Sequence, residues 1–151
     1  MNKIKLIVTS IALLSTAMTC QQAAAAEIYK HITTSNPTPL QIISDSNEAT
    51  LGDGHSRVVH SVIATNDKTI PVKITLTKIE ATATGETFVT KNVTIVAANS
   101  THEISFPSGL YLLKTSATVF DDLQVEIAPT ITSSASSAAP EVDFTFDFAD
   151  N

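Results

Sequence analysis

Residues 142–148 read Val142, Asp143, Phe144, Thr145, Phe146, Asp147, Phe148, an unbroken alternation of apolar and polar side chains. An extended strand, whose side chains point to opposite faces in turn, puts all four apolar groups on one side. Half of the six phenylalanines of the chain lie here. An apolar edge of this kind must be buried somewhere. It either folds back as the last strand of its own sandwich or adds to the sheet of another molecule by β-augmentation. Val142, Phe144, Phe146 and Phe148 are therefore the candidate partner-binding side chains. A Ser/Ala-rich segment of low complexity, 132–140, precedes them and reads as a flexible linker that permits either outcome. The acids of 141–151 discourage indiscriminate aggregation of the strand.

The same grammar recurs upstream. Val72, Ile74 and Leu76 alternate with Lys73, Thr75 and Thr77. Leu123, Val125 and Ile127 alternate with Gln124 and Glu126, and Ile104 and Phe106 with Glu103 and Ser105. The run from Val58 to Thr65 is apolar on both faces apart from His60 and Ser61, the pattern of a central strand. Val89 to Val96, Leu110 to Val119 and Leu40 to Ile43 are further candidates. Glu27 to Ile32 forms a weaker one, with Ile28, Lys30 and Ile32 on one face and Tyr29 and His31 on the other. Thr, Val and Ile dominate these runs and suit a pleated, half-buried surface. Breaks fall at Asn66-Asp67-Lys68, Gly85-Glu86, Asn99-Ser100 and Pro107-Ser108-Gly109. Short strands at fairly regular spacing predict an all-β antiparallel sandwich over residues 27–131.

The first 26 residues follow different rules. Lys3 and Lys5 precede an apolar run from Leu6 to Ala17, and Ala23-Ala24-Ala25-Ala26 ends at Glu27. This is the layout of a cleaved secretory signal peptide, with export to the periplasm, cell surface or exterior. The run is too short for an ordinary transmembrane helix, and no second one follows. Cys20 could accept a lipid anchor only with a Leu-type residue three positions earlier and small residues between. Met18 fits that pattern poorly. Cleavage after Ala26 removes the only cysteine, and with it any disulfide or thiol chemistry.

The 125 residues left make one domain, with seven basic residues against fifteen acidic, a net charge of −8. That balance argues against nucleic acid and anionic membranes as partners. No Lys or Arg follows Lys114, and the acidic C-terminal part reads first as a solvated surface.

The stretch Arg57 to Asn66, followed by Ile70-Pro71-Val72-Lys73-Ile74-Thr75-Leu76, resembles the strand, Asn turn, Pro, strand segment of immunoglobulin-like domains in bacterial pilus systems. Phe88 onward continues in the same style through Val93 to Ile95 and Ile104 to Phe106. The resemblance covers about half of the chain after the leader. It implies a single Ig-like sandwich of roughly seven to nine strands, like those of fimbrial subunits and periplasmic pilus chaperones. The chaperones have two domains where this chain has room for one, and many such subunits carry a cysteine pair that is missing here after the leader.

Chemistry-bearing motifs are sparse. There is no Gly-x-Ser-x-Gly elbow, Gly-rich phosphate loop or His-Glu-x-x-His pair, so no enzyme is expected and no cofactor is implied. Asp53, His55 and His60 lie close together, but a five-residue spacing puts the two histidines on opposite faces of a strand, against a metal site. Asp45 and Asn47 begin like a calcium loop, which then fails at Ala49 and Thr50. Asp121-Asp122 sits at a strand junction, where carboxylates cap turns or, in the alternative, hold calcium. Two tyrosines and no Trp give little stacking surface for a sugar. The expectation is a secreted, non-enzymatic structural or interaction protein, a fimbrial, surface or biofilm-matrix subunit that assembles by β-strand addition with protein partners, including itself. Two alternatives are a periplasmic Ig-like assembly factor or chaperone, and a small carbohydrate- or cation-binding module.

Overall fold

The computed structural model describes residues 26–43, 51–130 and 139–151. All of the leader but Ala26, the candidate calcium ligands Asp45 and Asn47, and all but the end of the Ser/Ala-rich segment lie outside the described residues. Among the described residues there are nine strands: β1 (Ala26–Ile32), β2 (Thr38–Pro39), β3 (Ser56–Asn66), β4 (Val72–Thr82), β5 (Gly85–Val96), β6 (Ser100–Ser116), β7 (Val119–Phe120), β8 (Asp122–Pro129) and β9 (Val142–Asp150). No helix occurs among the described residues, so none is long and apolar enough to cross a membrane. One sheet has the order β1-β9-β3-β6-β7 and the other β2-β8-β4-β5, with every pairing antiparallel.

The alternating runs explain the stacking. Ile28, Val59, Val62, Ile104, Phe144 and Phe146 of the first sheet and Ile74, Leu76, Leu123, Val125 and Ile127 of the second form one buried cluster. β4, β8 and β9 each contribute every second residue to it, as the pleat requires. A sandwich core built this way is about 10 Å thick, enough for one interdigitated layer from each sheet.

Three sequence expectations are corrected by local backbone geometry. Leu40 to Ile43 is not a strand. Gln41 has φ 55°, and the carboxylate of Asp122 accepts the Gln41 and Ile42 N–H groups at 2.8 Å each. The segment is thereby held as a buried loop after a strand of two residues. Thr101 to Phe106 and Leu110 to Val119 are not separate strands either. β6 runs through Pro107-Ser108-Gly109 as a bulge, and only Val119 falls into β7. Gly109 has φ 73° and lies against Val58, where a Cβ would stand 2.4 Å from Val58 Cγ1. Finally, β3 is central, between β9 and β6, but its double-faced apolar pattern comes from a bulge at His60. The bulge resets the alternation, so that Val59 and Val62 both face the core while Ile63 is 37% exposed.

Two buried polar side chains hold the sandwich together. Asn66, at the end of β3, donates through Nδ2 to the Ile70, Val96 and Ala97 carbonyls and accepts the Lys68 N–H. It ties the β3–β4 turn to the end of β5. Arg57, fully buried, donates from Nε and Nη2 to the two oxygens of Asp150 at 2.7 and 2.9 Å and from Nη1 to the Ile42 carbonyl at 2.7 Å. Its guanidinium lies 4.2 Å from the centre of the Phe148 ring. Replacing Arg57 with Leu strands the Asp150 carboxylate and a buried carbonyl and should cost roughly 3 kcal/mol by urea unfolding. An Arg57→Leu, Asp150→Leu double variant should recover part of that loss, since neither charge is then left unpaired.

Candidate functional site

The four side chains singled out by the C-terminal alternation are brought together on the inner face of β9. Val142, Phe144 and Phe146 are fully buried and Phe148 is 2% exposed. β9 does not lie at a sheet edge. It is inserted between β1 and β3, with Phe146 opposite Ile28 on one side and Val62 on the other. Phe144 falls opposite Lys30 and Ala64, and the small Ala64 leaves room for a ring. The Phe144 and Phe146 rings stack with centroids 6.2 Å apart and an interplanar angle of 27°. Each such side chain contributes about 1.5–3 kcal/mol by leaving water, so this strand carries a large share of the core.

Both ends of β9 are fastened. At its far end Asp150 meets Arg57, and Asn151 exchanges backbone hydrogen bonds with Ser56 at 2.8 and 3.1 Å. At its near end a polar clasp lies on the outer face. The Tyr29 hydroxyl donates to Asp143 at 2.5 Å, and His31 Nδ1 sits 2.5 Å from the same oxygen. Glu141 lies 3.5 Å from His31 Nε2 and pairs with Lys68. The Tyr29 hydrogen bond is the main cause that holds the Asp143 carboxyl below the ordinary carboxylate range, with His31 adding and partial burial opposing. The same bond raises the Tyr29 phenol.

The neighbouring edge of this sheet is defended. β1 is an edge strand, and Lys30 shares the inward face of Ile28 and Ile32, an inward charge that discourages further strands. The second sheet differs. Its edge strand β5 leaves Phe88, Val93 and Ile95 more than half exposed on its outer face. Phe88 lines a cleft of about 310 Å³ together with Pro39, Ile79, Phe120 and Gln124.

The remaining sequence candidates are scattered. Asp53 is exposed, 3.6 Å from Lys114 Nζ, His55 faces the Asn151 carbonyl, and His60 is exposed at its bulge. Asp121 accepts the Ala81 and Leu113 N–H groups and pairs with Lys78 at 2.9 Å. Asp122 accepts three backbone N–H groups, which partly offset the burial that raises its carboxyl. The pair therefore caps the junction of β7 and β8, with its lone pairs directed at the protein's own backbone. Among the described residues no group of three or more His, Cys, Asp or Glu side chains could hold a metal ion. The sequence reading missed Arg57 and Asn66. The available signal was a lone cation opening an apolar run, with a matching acid in the C-terminal strand.

No protein-family model matches the chain, and no curated protein matches it.

The clasp predicts a pH dependence with two limbs. A depressed Asp143 contributes stability that is present above its unfolded value of about 3.9 and is lost as pH falls through the folded one. A raised Tyr29 contributes stability that is present below about 10 and is lost as pH climbs through the folded value. Urea midpoints measured from pH 2 to 11 should fall at both ends, and the Asp143→Asn variant should show a shallower acid limb.

Proposed function

We propose that this chain is a secreted, non-enzymatic structural protein with an Ig-like sandwich that assembles through β-strand addition, in the manner of fimbrial or matrix subunits. The observation that carries the reading is β9. It is a self-contained apolar strand, inserted between two others and joined to β8 by residues 130–141, a sequence distance that allows a donor strand to reach a neighbouring copy. Connectivity supports the Ig-like type. The steps β3 to β4, β5 to β6, β7 to β8 and β8 to β9 each pass from one sheet to the other, as in Greek-key sandwiches. The leader pattern supports export.

In this mechanism β9 leaves its own slot and fills the slot between β1 and β3 of another copy, so every core contact is regained in trans. The slot supplies seven register positions from β1 and eight from β3. The exchanged joint therefore dissociates slowly once made.

The test is strand uptake. A labelled peptide of residues 140–151 should enter the protein on prolonged incubation, and light scattering should show concentration-dependent oligomers. A peptide carrying Phe146→Asp should not enter. A full chain that stays monomeric at every concentration and takes up no peptide would sink the reading.

A further inference from the structure

We propose that β5 is a homodimer contact, in which two copies pair this edge strand antiparallel about a two-fold axis between Thr90 and Lys91, joining their second sheets into one. The inference goes beyond β9 exchange and does not depend on it. It starts from the bulge. Opposite β4, Leu76 aligns with Asn92 and Thr77 with Thr90, so Lys91 is the extra residue. Asn92, Thr94 and Val96 share the inward face of Leu76, Ile74 and Val72. Val93 and Ile95 face out with Thr75 and Lys73. On the other side of the bulge Phe88 and Thr90 face out, beside Ile79 and Thr77. Ile79 is buried in the cleft but is not part of the core cluster. Thr90 and Lys91 are both exposed, between half-buried Val89 and Asn92, so the bulge sets them on the same, outer, face.

That shift restricts how the strand can meet a copy of itself. In antiparallel pairing, residues directly opposite must share a face. A regular strand meets this condition only when paired residue numbers have an even sum. Across the bulge the sum must be odd, and only 181 also matches at the centre. Thr90 then faces Lys91 of the second copy, Val89 faces Asn92, Phe88 faces Val93, Thr87 faces Thr94, Glu86 faces Ile95 and Gly85 faces Val96. This register uses the whole of β5, and its axis passes through the bulge. A shift of one residue pair either way sets Lys91 against Asn92 or Val89 against Thr90, each a mismatch of faces.

The side chains suit the register. Phe88 and Val93, 56% and 55% exposed in the single copy, cover one another twice. Glu86 and Lys73 of the second copy flank Ile95 of that copy on the outer face, both exposed. Their backbones stand about 10 Å apart, two strand spacings, within reach of two extended side chains. The symmetry makes two such pairs of opposite charge, against one Lys91–Lys91 repulsion beside the axis. Glu86 and Phe88 also line the cleft, so Ile95 and Val93 of the second copy extend its wall.

Cysteine pairing tests the register directly. In a Cys20→Ser background, Phe88→Cys with Val93→Cys places thiols opposite each other only between copies. Within one chain the two positions are roughly 16 Å apart and cannot join. Mild oxidation should give a covalent dimer on a denaturing gel that reducing agent returns to monomer. The shifted pair, Phe88→Cys with Ile95→Cys, should stay monomeric, because its thiols lie outside disulfide reach. In the protein without added cysteines, Val93→Lys should lower the dimer fraction seen by sedimentation at least tenfold, with an unchanged melting curve at concentrations where both proteins are monomeric. No cross-link in the first pair, or equal cross-linking in both, would overturn the proposal. Peptide uptake by β9 is a separate readout, so failure of either interface is seen on its own.

Discussion

Arg57 is the side chain on which the placement of β9 turns. A guanidinium with no exposed surface must have its donors met, and it finds Asp150, the Ile42 carbonyl and the face of Phe148. These partners come from β9 and from the loop after β2, which are far apart in sequence. The pairing therefore couples the C-terminal strand, the central strand and the covering loop in one network. A row of phenylalanines alone would bury itself in any register that keeps its apolar face inward. The Arg57–Asp150 pair selects among them, since a slip of two residues would separate the two charges.

Much of the architecture was written in the period-two pattern. β4, β8 and β9 lie where their alternation puts them, and their inward residues are the ones the spacing selects. What the pattern could not carry is anything set by a single irregular residue. The bulges at His60 and Lys91 shift the faces without changing composition, so β3 reads as apolar on both sides when most of its apolar residues point one way. Pro107-Ser108-Gly109 has the chemistry of a turn, yet the chain continues in the same strand, absorbing these residues as a bulge with Gly109 close against Val58. Leu40 to Ile43 looks like a strand by burial alone, and the backbone bonds to Asp122 make it a loop. The candidate site was legible to the same degree. Its four side chains were named from alternation, but the flanking clasp and the arginine lock depend on contacts more than ninety residues apart.

The two sheets meet solvent differently, and that difference organises the proposals made for them. The first sheet protects its β1 edge with an inward lysine and a polar outer clasp, although Tyr111 and Leu113 of β6 are also exposed on it. The second sheet ends in β5, twelve residues with apolar groups on the outer face and no proline to block another strand. A two-fold contact there is isologous and closes at two copies, whereas strand transfer from copy to copy remains open-ended. With both in operation, transfer through β9 would extend an assembly and pairing through β5 would join two such assemblies side by side. The interior slot then governs length and durability, and the edge strand governs lateral association. Each surface is controlled by its own residues, Phe146 and Arg57 in one case and Phe88 and Val93 in the other.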